Sequence, residues 1–152
     1  MRKIVIIACG NSQRQDDGLA HEALHQLAGT ALPGDFEFIH AHQLFPEHAS
    51  VACQADLLIF LDAAQTGTPG EIRIRQVEPG GSFPGPSHHL SPESLLTFIQ
   101  QVYGAEPESY LATLCGESFG LGEGLTAATE HALPEMVSQV VNLIVRETSL
   151  AS

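Results

Sequence analysis

The sequence predicts an α/β protein, a doubly wound three-layer sandwich with about five mostly parallel strands and helices on both faces. Two observations predict it. Residues 3–9, 57–61 and 110–115 are apolar almost throughout, as strands buried on both faces of a parallel sheet are. Segments with helical spacing of apolar residues alternate with them, which is the order of βαβ units. The 152 residues, 43% of them hydrophobic and 16% charged, suit a single domain spanning 1–152 with one folded core, with no disulfide or cofactor needed for stability.

The first strand covers residues 3–9 and ends at Gly10-Asn11-Ser12. Leu19, Leu24 and Leu27 then mark a helix that stops near Gly29, with Asp16 or Asp17 available to cap its first turn. After Pro33-Gly34-Asp35 a short strand is expected over residues 36–39, and Pro46 can open a helix carrying Ala49, Val51 and Ala52. The third strand, residues 57–61, puts Asp62 at its carboxyl end. Residues 71–75 alternate polar and apolar, the pattern of a half-exposed edge strand. Three prolines and three glycines make residues 78–87 an irregular loop. Ser91 and Pro92 open a helix through Leu95, Leu96, Ile99 and Val102, where proline's missing amide costs nothing. A fifth strand, residues 110–115, leads into a glycine-rich loop, and a last helix starts at Thr126, with Pro134 expected to kink it or to start a second helix.

Six basic against eighteen acidic residues give a net charge of −12, which repels nucleic acid and anionic lipid. No run approaches the ~20 apolar residues of a membrane span. The three cysteines, Cys9, Cys53 and Cys115, are scattered in apolar segments, as buried thiols of a reducing compartment are, so a cytoplasmic location is expected.

In a doubly wound sheet, ligands bind beyond the carboxyl ends of the strands, and three groups of polar residues fall there. Asp16-Asp17 follows the first strand; a helix cap accounts for one acid only, so Asp17 is read as a ligand and Asp16 as its orienting neighbour. Asp62 ends an apolar strand, where an uncompensated carboxylate is costly to desolvate. His88 and His89 lie in the loop before the third helix, and imidazole is a usual nitrogen ligand for nickel or zinc; the residues alone do not choose between the two. His21, His25 and His131 read as helix-face residues, and His40 as a strand or core residue. Glu117 and Glu123 in the final loop could hold an extended peptide or a supporting hydrogen bond, and read equally well as solvated acids of a turn. The first glycine loop is no dinucleotide fingerprint, the last lacks the Lys-Ser/Thr of a P-loop, and no Ser-His-Asp or Cys-His arrangement is present.

Gly10-Asn11 with Asp16-Asp17-Gly18, the strand ending in Asp62-Ala63, Ser87-His88 before a leucine-bearing helix, and Gly116-Glu117-Ser118-Phe119 with Gly122-Glu123-Gly124-Leu125-Thr126 together resemble the nickel–iron hydrogenase maturation endopeptidases. The resemblance spans nearly the whole chain. It implies a cytoplasmic aspartic-type endopeptidase, acting as a monomer, that removes the C-terminal extension of a hydrogenase large-subunit precursor once nickel is inserted. The nickel would come with the substrate, and another divalent cation could replace it in vitro. By resemblance the metal-contacting residues fall on Asp17, Asp62 and His88, the last because it follows Ser87 and keeps the register to Leu95. Many relatives carry Glu in place of Asp17. The stretch His42-Gln43-Leu44-Phe45-Pro46-Glu47 resembles a subgroup with a Gln-Leu-x-Pro-Glu motif and implies that His42 and Gln43, with Glu117, contact the substrate, of a bidirectional, NAD-linked type. The alternatives are a small hydrolase with resident zinc on the same three residues, and a chaperone that binds the precursor without cutting it.

Overall fold

The computed structural model describes residues 1–85 and 87–150. Five strands, β1 (Lys3–Cys9), β2 (Asp35–Ala41), β3 (Leu57–Ala64), β4 (Ile72–Val77) and β5 (Glu108–Cys115), form one sheet in the order β2-β1-β3-β5-β4. All neighbours are parallel except β4, which runs antiparallel to β5 at the sheet edge. Its alternating sequence follows from that position: Arg73 and Arg75 face solvent while Ile72 and Ile74 are half-buried.

Side chains alternate across a strand, so each central strand feeds two cores. From β1, Ile4, Ile6 and Ala8 pack with Leu57, Ile59 and Leu61 of β3 against α1 (Leu19–Ala28) and α4 (Ala127–Leu150). Val5, Ile7 and Cys9 pack with Leu58 and Phe60 against α2 (Ala49–Ala52) and α3 (Pro92–Tyr103). Two helices on each face of the sheet complete the expected three layers.

The start of α3 agrees with its sequence: the Ser91 Oγ accepts the Ser94 N–H at 3.1 Å, Pro92 occupies the first turn, and Gly104, at φ 67°, ends the helix in the left-handed conformation. Five expectations are corrected or narrowed. Neither Asp16 nor Asp17 caps α1; both sit in a 3-10 turn, Gln15–Gly18, and Gly18 precedes the helix without a side-chain cap. The loop carboxylates are engaged elsewhere. Of the two expectations for Pro134, a second helix does not form: Pro134 lies inside α4, which continues through it as one element, with Leu133, Met136 and Val140 in the core. Strand β3 runs on to Ala64 instead of ending at Leu61, because β5 extends its ladder to Ala64 opposite Cys115 after the pairing of β3 with β1 has ended at Ala8 opposite Leu61. Likewise β2 exceeds residues 36–39, since its full length pairs with β1, and the second helix is a 3-10 turn, Pro46–His48, running into the four residues of α2. In the 78–87 loop no helix or strand forms among the described residues; Pro86 lies outside them.

Candidate active site

Strands β1 and β3 are neighbours, yet β1 connects to β2 on its other side, so the chain turns away in opposite directions at the β1–β3 boundary. That is the switch point at which a doubly wound sheet opens a crevice above its carboxyl ends. The register makes the opening concrete. Asp62 is the first β3 residue without a β1 partner, and it pairs only with Thr113 of β5. Counting by twos from Leu58 and Phe60, it faces the α2–α3 side, as Cys9 does. A cavity of about 250 Å³ lies there, lined by Cys9, Gly10, Asp17, His42, Asp62 and His89 among others. Gln43 also lines it, while Leu44, Phe60, Leu90 and Leu111 supply an apolar wall.

Asp17 reaches this crevice because of Gly10. At φ 143° Gly10 has a conformation that side chains resist, and a Cβ there would stand 1.9 Å from the Asp17 carbonyl oxygen. The close approach folds the loop back so that the Asn11 N–H donates to Asp17 Oδ2 at 2.8 Å. Asp62 accepts the Ala63 N–H at 2.8 Å. Burial, only partly countered by that bond, and then the negative charge of Asp17 push the Asp62 carboxyl up to about 6. The two carboxylates therefore feel each other, and a cation between them would remove the repulsion.

Asp16, next in sequence to Asp17, has a different role. It is fully buried, and its carboxylate accepts the N–H groups of Glu117 (2.8 Å), Ser118 (3.2 Å) and Thr126 (2.8 Å) and the Thr126 hydroxyl (2.8 Å). Burial alone would raise its pKa; these bonds outweigh that and hold it below the usual carboxylate range. The Gln15 and Gly122 N–H groups donate to Gly122 and Gln13 carbonyls, and the Ser118 hydroxyl donates to the Gln15 side chain. The first loop and the final glycine-rich loop are thus one unit clasped by Asp16. This explains Gly116 as well: a Cβ there would be 2.7 Å from the Asp16 Cβ.

The histidine assignments divide. His89 lines the cavity. The exposed His88 donates its N–H to the Gly85 carbonyl at 3.3 Å and lays its ring edge against Gly85. Among the described residues no three His, Cys, Asp or Glu side chains gather closely enough to hold an ion. The preformed part of the donor set is the carboxylate pair. Both carboxylates line the one cavity, and hard oxygen donors of this kind suit a divalent cation, with His88 or His89 as the imidazole that the loop could add. His42 and Gln43 are exposed on the cavity wall, where Leu44 is tied to the far wall by the Leu90 N–H donated to its carbonyl at 2.8 Å. Glu117 contributes its backbone N–H to Asp16 and keeps its side chain in solvent.

Sequence reasoning overlooked Cys9, although a period of two from Val5 and Ile7 places it on the Asp62 face. Burial and then the Asp62 charge push its thiol up to about 12, so it is a neutral, apolar part of the wall. The clasp by Asp16 was equally invisible, since its partners lie about a hundred residues on.

Fold and crevice define the class: a doubly wound α/β protein with an acidic pair at its β1–β3 switch point. No family model matches the chain, and no curated protein matches it by sequence. Solved structures do. The hydrogenase maturating endopeptidase HybD from E. coli superposes with a TM-score of 0.77 at 21% identity, covering 97% of this chain and 94% of that one. A solution structure of an endopeptidase from Escherichia coli gives 0.76 at 22% identity, with 97% and 94% covered. The [NiFe] hydrogenase maturation protease HycI from Thermococcus kodakarensis KOD1 gives 0.73 at 19% identity, with 94% and 92% covered. Over 94–97% of its length the chain has the fold of these hydrogenase maturation proteases.

Proposed function

We propose that this protein is an endopeptidase that removes the C-terminal extension of a nickel–iron hydrogenase large-subunit precursor after nickel insertion, and that it recognises the nickel carried by that substrate. The observation that carries the reading is the meeting of Asp17 and Asp62 at the switch point of a fold whose solved examples include hydrogenase maturation proteases.

Two carboxylates beside an open apolar wall leave coordination positions free, so a metal already ligated by the substrate can share them. The −12 charge and the mutual repulsion of Asp17 and Asp62 favour a cationic visitor over an empty crevice. Leu44, Phe60, Leu90 and Leu111 offer apolar surface to a peptide lying along the cavity, and His42 and Gln43 stand where they can read its side chains. Asp17 and Asp62 would hold the substrate's nickel, which would supply Lewis-acid chemistry to polarise the scissile carbonyl or a water. The imidazole of the site would come from His88 or His89 in the loop ahead of α3.

The test is intact-mass analysis of a nickel-loaded precursor after incubation with the wild type and with Asp17→Asn, His88→Ala and His89→Ala. Loss of the C-terminal extension with the wild type and its retention with Asp17→Asn are expected. Whichever histidine variant fails identifies the imidazole arm. Unchanged precursor mass with the wild type, or normal processing by Asp17→Asn, would overturn the reading.

A further inference from the structure

Away from the cavity, a histidine pair joins α1 to β2. The His21 and His40 rings stack with centroids 5.0 Å apart and planes at 28°, and their Nδ1 atoms are 2.8 Å apart. The other ring nitrogen of His21, Nε2, lies 2.7 Å from the Gly10 carbonyl oxygen. A carbonyl only accepts, so His21 Nε2 carries a proton. In the neutral pair His21 Nδ1 is then the acceptor, and His40 Nδ1–H is the donor. Burial, and then the neighbouring His21 and His25, hold His40 below the usual imidazole range, which keeps His40 neutral at pH 7.

The Gly10 carbonyl belongs to the same peptide group as the Asn11 N–H, and that N–H holds Asp17 Oδ2 at 2.8 Å. A peptide group is planar, so its two ends cannot turn independently. The donor on the carbonyl and the carboxylate on the N–H also polarise the group in the same sense and strengthen each other. Gly10 has no side chain of its own to fix this plane, and its φ of 143° leaves it to outside contacts.

We propose that His21, oriented by His40, is a positioning residue for Asp17, acting through the Gly10–Asn11 peptide. The pair sets the plane from which Asn11 aims the carboxylate into the cavity. The proposal rests on the reading of Asp17 as a working carboxylate, yet its geometry can be tested without any substrate.

The experiment is amide hydrogen exchange and imidazole ¹⁵N NMR on the intact chain near pH 7.5. In the wild type the His21 spectrum should be that of the Nε2–H tautomer and the His40 spectrum that of the Nδ1–H tautomer. His21→Leu should speed exchange at the Asn11 amide about tenfold, the loss of one hydrogen bond's support, while the Ile6 and Ile59 amides keep their rates. His21→Gln, whose amide N–H can reach the same carbonyl, should restore the Asn11 rate, and His40→Phe should give a smaller acceleration at that amide alone. An Nδ1–H tautomer at His21 would overturn the proposal whatever the variants do. So would an unchanged Asn11 rate in His21→Leu, or acceleration spread equally over Ile6 and Ile59. Precursor cleavage enters none of these readouts, so failure here and failure of the protease reading are told apart.

Discussion

Asp62→Asn should make the protein more stable at neutral pH while it abolishes function. In the folded chain the Asp62 carboxyl is pushed from 3.8 to about 6, by burial first and by the charge of Asp17 in addition. The folded state therefore binds a proton more readily than the unfolded state, and stability falls as pH rises from about 4 through 6, then levels off. The shift corresponds to about 2–3 kcal/mol of destabilisation above pH 7, with some solvent access to the crevice allowed for. Asn keeps an oxygen for the Ala63 N–H and carries no charge, so it should recover most of that amount. For a chain of this length the gain is about 5–10 °C in Tm. Urea unfolding of wild type and variant at pH 8 and at pH 4.5 measures it: the variant should be the more stable at pH 8, and the gap should shrink markedly at pH 4.5. Equal stabilities at pH 8, or a gap that does not depend on pH, would refute the electrostatic account of the crevice.

Asp16→Ala should act in the opposite direction, costing about 3–5 kcal/mol, because it strips four donors of their buried acceptor and separates the two loops. The Asp16 carboxyl is held below its usual range, so the stability it provides is full above pH 4 and is lost as pH falls through its folded pKa; chemical denaturation at pH 7 and at pH 3 should show the difference between wild type and variant shrink in acid. Thiol labelling at pH 7.5 should modify the half-buried Cys53 first, leaving buried Cys9, with its thiol near 12, and Cys115 to react only after denaturation, as peptide mapping of the labelled protein would show.

The strands and most helix starts were legible because they obey local rules. An apolar β-branched run reads as a central strand whichever partners it finds, and Ser91-Pro92 opens a helix in any context. Asp62 was legible for a related reason: a charge closing such a run has few places to be except the sheet's upper edge. What local rules could not supply were contacts between distant segments. Asp16 and Asp17 look alike in sequence, and only the arrival of residues 117–126 makes one a buried clasp and the other a cavity residue. The exchange of a helix cap for that clasp has the same origin, since four donors from another loop outcompete the free amides of α1. His88 and His89 differ by one position in a loop with no period to orient them; both are exposed, and only His89 also lines the cavity.

The central claim, that the crevice reads a nickel ion brought by its substrate, is tested most directly by mass analysis of one precursor in two forms, nickel-loaded and nickel-free, incubated with the same wild-type protein under metal-free buffer. Loss of the C-terminal extension from the loaded form alone is predicted, because on the proposed reading it is the substrate's nickel that Asp17 and Asp62, which repel each other when the crevice is empty, take up. Equal cleavage of the nickel-free form would contradict it.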